Sequence, residues 1–167
     1  DVRHAMFSTP LTEFLVSMGH KREGIDRPLL QKVAQNLNKH FGEGTVTRGA
    51  LLLIKTSAAR IDIVDGVRWP SDFDGIRALA DEHTVPLMIY VHASEDKRFE
   101  RGKKRKQRAG EADLTREKFL EQDNAPNEVY VPELGAKADF IIDNNEDDPE
   151  LKKVRAQLEI FCKQFLS

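Results

Sequence analysis

Three short apolar runs set the strongest limit on what this chain can become: Ile61-Asp62-Ile63-Val64, Val85 to Val91, and Phe140-Ile141-Ile142. Each is rich in Ile or Val and runs directly into turn formers, Asp65-Gly66, His92-Ala93-Ser94 and Asp143-Asn144-Asn145. Short β-branched segments that end this way read as buried strands of a parallel sheet. A weaker candidate lies at Arg3 to Phe7. Parallel neighbours need long crossovers, and the stretches between the runs have helical periodicity. Arg27 to Phe41 places Leu30, Val33, Ala34, Leu37 and Phe41 on one face, with Pro28 in the first turn and Gly42 as a stop. Helices are also predicted over Thr45 to Ala59 and over Ser71 to Glu82, the second with Phe73, Ile76, Leu79 and Ala80 inward. Ser94 caps a helix carrying Phe99, and Thr115 opens another with Lys118 and Phe119. Pro149 opens the last, with Leu151, Val154, Leu158, Phe161 and Phe165 on one face. This alternation predicts an α/β fold of three layers, α/β/α, around a mostly parallel sheet, in one domain over residues 1–167.

Charge and composition remove several classes. With 26 Lys+Arg against 28 Asp+Glu the formal charge is -2, which excludes a uniformly basic nucleic-acid binder but leaves room for a local basic stripe. No apolar run approaches the roughly 18 to 20 residues of a membrane span, so no membrane partner is expected. The single cysteine, Cys162, excludes a disulfide scaffold and a multi-cysteine zinc site, and reads as an inert core thiol. Met6, Met18 and Met88 read as core filling. His4, His20, His40, His83 and His92 have no metal-ligand spacing. Asp1-Val2-Arg3 carries neither an initiator Met nor a signal-peptide pattern, and the expected setting is the cytoplasm.

Four constellations can carry chemistry. In Ile61 to Arg68, Asp65 ends an apolar strand, where ligands of open α/β sheets gather and where a carboxylate can hold Mg2+. Gly66 permits a sharp exit and Arg68 offers a planar fork to phosphate oxygens. The plain alternative is a strand-ending turn with a solvated arginine. Arg98, Arg101, Arg105 and Arg108 recur at spacings of three, four and three, which puts them on one helical face able to converge on a polyphosphate. A polar stretch, Ala109 to Asp113, follows, so the segment from about 95 to 125 reads as a closing lid. A solvated basic face is the plain alternative, and RNA contact ranks last because Phe99 alone interleaves the charges. Arg27 and Gln31, four apart at a helix start, can bind a phosphate and a base or ribose edge, with hydroxyls from Ser8 and Thr9 nearby. Taken alone, each is more often capping and helix-surface chemistry than binding. Asp143-Asn144-Asn145 can line a purine pocket or simply form an Asn-rich turn.

In this order the pieces resemble a P-loop nucleotide kinase of the dephospho-CoA kinase-like and nucleoside-monophosphate-kinase-like group. The resemblance runs from about Arg3 to Phe165. It rests on Phe7-Ser8-Thr9-Pro10-Leu11, Arg27-Pro28-Leu29-Leu30-Gln31, Asn36 to Gly42, Ile63 to Arg68, Val91 to Arg105, Thr115 to Phe119, and Ala138 to Asn144. It implies ATP-dependent, Mg2+-assisted phosphoryl transfer to a nucleotide or nucleotide-like small molecule. Helices between about residues 8 and 59 would bind the acceptor. Arg27 would then hold the acceptor phosphate, with Ser8, Thr9 and Gln31 in the same pocket and Arg68 on the acceptor side. Asp65 would be the metal-side carboxylate. Arg98, Arg101 and Arg105 would be lid and phosphate-clamp residues, and Asn144 would approach the adenine. The group's defining Gly-x-x-x-x-Gly-Lys-Ser/Thr loop is absent from the 167 residues; Gly42-Glu43-Gly44-Thr45-Val46-Thr47 has no lysine and follows no strand. The expectation is therefore an N-terminally incomplete copy of such a kinase, with a non-catalytic nucleotide-binding or regulatory module as the alternative. Neither the acceptor nor the oligomeric state is legible.

Overall fold

Among the described residues, two pairs of parallel strands organise the chain. The computed structural model describes residues 1–105, 114–126 and 128–166, and these divide into two compact units, Asp1–Val85 and Pro86–Ser167.

In the first unit, β1 (Val2–Met6) pairs in parallel with β2 (Ile61–Asp65), in register from Val2 opposite Ile61 to Met6 opposite Asp65. The crossover between them carries α1 (Thr9–Ser17), a short 3-10 turn (Arg22–Gly24), α2 (Arg27–Phe41) and α3 (Thr45–Lys55); α4 (Pro70–Arg77) follows β2. The bounds of α2 match the sequence pattern because its signals are local. The Asp26 carboxylate accepts from the Leu29 N–H at 2.9 Å, proline occupies the first turn, and Gly42 leaves the helix at φ +94°. Phe7, Leu11, Leu15 and Ala50 form the core. On the helix-covered face of the strands, Arg3 donates to Asp62 at 2.6 Å and to the Leu53 carbonyl of α3 at 2.6 Å. At Gly75 of α4 a Cβ would stand 2.9 Å from Leu51 and 3.3 Å from Thr47, so glycine sets the approach of α4 to α3.

The strands are less covered than their composition predicts. Val2, Met6 and Ile63 are 58%, 46% and 51% exposed, because alternate residues of a strand face opposite sides and helices cover one side of this pair. Met18 and Phe41, expected in the core, are also exposed. Helix α3 stops at Lys55 rather than Ala59, and α4 at Arg77 rather than Glu82.

In the second unit, β3 (Ile89–His92) pairs in parallel with β4 (Phe140–Asp143), from Ile89 opposite Phe140 to His92 opposite Asp143. The expected strand from Val85 begins four residues later. Pro86 has no N–H to give a ladder, Val85 is exposed, and pairing starts where Met88 accepts from the Asp139 and Phe140 N–H groups. Between the strands lie α5 (Glu95–Arg105), α6 (Arg116–Asp123) and α7 (Val131–Ala136); α8 (Lys152–Phe165) closes the chain. Among the described residues Leu134 and Ile142 are the most deeply buried side chains, and Leu114 and Phe161 are buried as well. Phe140 meets Phe161 edge-on at 5.5 Å, and Phe99 meets Phe119 in the same way across α5 and α6. Cys162 lies exposed on α8 rather than in the core, since Phe161 beside it takes the inward position. Helix α8 starts at Lys152 rather than at Pro149, after Leu151 takes a left-handed conformation at φ +54°. Both units are thus mixed α/β with short parallel strands, and no helix among the described residues is long and apolar enough to cross a membrane.

Candidate functional site

The carboxyl ends of β1 and β2 carry one group of the candidate residues. Asp65 ends β2 with its side chain 67% exposed, and the imidazole Nε2 of His4 lies 4.0 Å from its Oδ2. The Phe7 N–H donates to the Asp65 carbonyl at 3.1 Å, which carries the parallel pairing one residue further and draws Phe7-Ser8-Thr9 beside Asp65. There the Thr9 hydroxyl accepts from the Met6 N–H at 3.2 Å, and the Ser8 carbonyl accepts from the Thr12 hydroxyl at 3.1 Å. Gly66 turns the chain at φ +93°, and a Cβ on it would stand 3.4 Å from the Arg68 guanidinium. The positive φ is what calls for glycine here, and the Arg68 guanidinium lies at ordinary contact distance from that position. Gln31 is half-buried on α2 and Arg27 opens that helix. The Arg27 and Arg105 side chains lie outside what the structure describes, as do residues 106–113 with Arg108.

Sequence reading missed what holds this turn. Asp72, the third residue of α4, is 4% exposed. Its Oδ2 accepts from the Arg68 N–H at 3.1 Å and the Trp69 N–H at 3.0 Å, while Oδ1 accepts from the hydroxyl of Thr47, itself 5% exposed on α3. The local part of this signal was available: an acidic residue three positions after a helix cap reaches back to the cap N–H. Thr47, 25 residues away, was not deducible from pattern.

A second group gathers at the carboxyl ends of β3 and β4. The Asn144 N–H donates to the His92 carbonyl at 2.8 Å, and the Asn145 side chain accepts from the Ser94 N–H at 2.7 Å, which joins the two strand exits. Arg101 of α5 donates to the Asn144 carbonyl at 2.6 Å and to the Glu146 carbonyl at 2.8 Å. This contact brings together two residues that the sequence reading named separately. Arg98 turns toward α6, pairing with Asp123 and lying 5.8 Å from the centre of the Phe119 ring. Arg116 answers from α6, pairing with Glu95 and Asp96 above the Phe99 ring. Lys97 reaches Asp147 at 2.8 Å. Its ammonium, chiefly by hydrogen bonding, holds the Asp147 carboxyl below the ordinary carboxylate value, and Asp147 raises Lys97 in return. Hydrogen bonding to Asp96 likewise raises Arg116. Beside the 143–148 loop, a depression of about 340 Å3 is lined by Asp143, Asn144, Glu146, Lys153 and Gln157 among others. The amide of Gln157 on α8 bridges the Asp143 N–H and carbonyl at 2.8 and 2.9 Å, so the loop is tied down on that side too.

Among the described residues no three His, Cys, Asp or Glu side chains converge as a metal-binding group. Asp65 can contribute one carboxylate to a cation whose other ligands come from elsewhere.

No family model matches the chain. It is 28% identical over 106 residues to a UPF0200 protein of Pyrococcus abyssi, across 62% of this chain and 52% of that protein. The chain thus spans about half the length of the curated relative it matches.

Proposed function

We propose that this chain supplies the acceptor-binding and lid parts of a cytoplasmic, nucleotide-binding protein of P-loop type with a three-layer fold. Its activity is ATP- and Mg2+-dependent phosphoryl transfer to a nucleotide or nucleotide-like small molecule, such as a nucleoside monophosphate or dephospho-CoA. One observation carries the reading: an exposed carboxylate, Asp65, ends a parallel strand beside Ser8 and Thr9, and the chain then turns at Gly66 with the Arg68 guanidinium next to that glycine. A lone carboxylate at a strand end suits a Mg2+ whose remaining ligands are phosphate oxygens and water, and such an ion would neutralise charge on the transferred group. Arg27, Arg68, Ser8, Thr9 and Gln31 bind the acceptor in this reading. Arg98, Arg101 and Arg105 act from the lid by charge stabilisation and water exclusion, and Asn144 faces the base of the donor.

The alternative reading is a non-catalytic nucleotide-binding or regulatory module of the same fold. Titration calorimetry with AMP, CMP, dephospho-CoA and ATP·Mg2+, run beside transfer of labelled phosphate from ATP, separates the two. Binding is expected under both. Transfer, together with a strand and Gly-Lys-Ser/Thr encoded upstream of Asp1, marks the kinase; binding without either marks the module. A chain that binds none of these nucleotides overturns both.

A further inference from the structure

Asp72 belongs to no part of the reading above, yet it is the most deeply buried charged side chain among the described residues of the first unit, and its partners converge on the turn that carries that reading. Three donors meet its two oxygens: the N–H groups of Arg68 and Trp69 and the hydroxyl of Thr47. Two of the donors are backbone groups of the turn that leads out of Asp65 and Gly66. The third comes from α3, whose close approach is set by Gly75. A carboxylate taken out of water remains only where its acceptor positions are filled, and here they are filled from both sides at once. The turn therefore cannot shift without stranding either the carboxylate or two N–H groups.

We infer that Asp72 is a positioning residue for nucleotide recognition: by fixing the Arg68 and Trp69 backbone against Thr47 of α3, it presents the Arg68 guanidinium in its phosphate-receiving orientation. A site residue displaced by about 1 Å loses much of its effect, which is why such an anchor matters for the ligand and not only for the fold. The inference rests on the proposed function and names the device that supports it.

The test compares Asp72→Asn, Asp72→Glu and Thr47→Val with the unaltered chain, reading AMP and dephospho-CoA affinity by calorimetry and exchange of the Arg68 and Trp69 amide hydrogens by NMR. The expected result is faster exchange at these two amides and about tenfold weaker binding in Asp72→Asn, while amides in the middle of α3 keep their protection. Thr47→Val removes one neutral partner with little change of shape, so it keeps the question open to measurement if Asp72→Asn fails to fold; it should weaken binding in the same direction by a smaller factor. Asp72→Glu should restore part of the affinity. Unchanged affinity in variants whose two amides exchange faster overturns the inference and leaves the nucleotide reading standing. Unchanged exchange overturns it as well. If the unaltered chain binds neither probe, the nucleotide reading falls and takes the inference with it.

Discussion

The two strand-end regions are held by opposite means. At Asp65–Trp69 a single buried carboxylate, Asp72, gathers backbone N–H groups and a hydroxyl in a place with little access to water. At Asn144–Asp147 the loop is held from α5 by long cationic side chains at the surface: Arg101 on two carbonyls and Lys97 on Asp147. Buried hydrogen bonds in low dielectric are costly to break and barely screened, whereas exposed ion pairs contribute little and fade with salt. The first arrangement suits a receiving surface that must already be in shape when a ligand arrives. The second suits a surface that exchanges its partners, since each guanidinium bond to a carbonyl can be traded for one to phosphate at modest cost.

That contrast can be broken experimentally. Asp72→Ala should have the largest effect, lowering the stability of the first unit by about 2 to 4 kcal/mol because it leaves two part-buried N–H groups and a buried hydroxyl without acceptors. Trp69, the only tryptophan, lies in the affected turn, and its fluorescence in a urea titration reads the change. Gly135→Ala should come next, at about 1 to 3 kcal/mol. A Cβ there would stand 2.7 Å from the Tyr90 ring, and far-ultraviolet circular dichroism during denaturation reads the loss. If removing the surface pairs of the second unit costs more than this core change, the contrast is wrong. Arg101→Ala should leave stability nearly unaltered yet weaken ATP·Mg2+ binding by about tenfold while sparing AMP, the reverse of the Asp72→Asn pattern; calorimetry with both ligands decides.

The smallest effect belongs to Lys97 and Asp147. A carboxyl with a lowered folded value stabilises above its ordinary value of 3.8 and loses that contribution as pH falls through the lowered value. An ammonium with a raised folded value stabilises below its ordinary 10.5 and loses that contribution as pH rises through the raised one. The pair thus contributes fully between these ordinary values and declines outside them. Lys97→Met should flatten both limbs of a melting-temperature profile measured against pH, and half-molar salt should mimic it.

Legibility followed the range of the interactions. Helix α2 was readable to the residue because Asp26, Pro28 and Gly42 act within their own neighbourhood. Thr115 was readable as the start of α6 for the same reason, since its hydroxyl accepts from the Lys118 N–H. The start of β3 was misplaced because Val85 to Val91 has the composition of a strand, while Pro86 denies it a ladder. Cys162, Met18 and Phe41 were placed in the core on chemical type, but each lies exposed, Cys162 because Phe161 beside it takes the inward position. In the candidate site, Asp65, Gly66 and Arg68 were visible as a motif at the end of a strand. Arg98 and Arg101 were visible as a spacing, yet nothing in the spacing said that one would meet Asp123 and the other the carbonyls of Asn144 and Glu146.

By itself the sequence determined the element types, the parallel character of the strands and the residues that stand at their carboxyl ends, because periodicity, β-branching and capping are properties of adjacent residues. Only the tertiary structure decided which partners those residues meet: Thr47 with Asp72, Arg3 with Asp62, Arg101 with the 144–146 backbone. Such pairs are 25 to 59 residues apart along the chain, and they form because packed helices and paired strands bring distant groups within hydrogen-bonding distance, where burial makes an unanswered donor or acceptor too costly to keep.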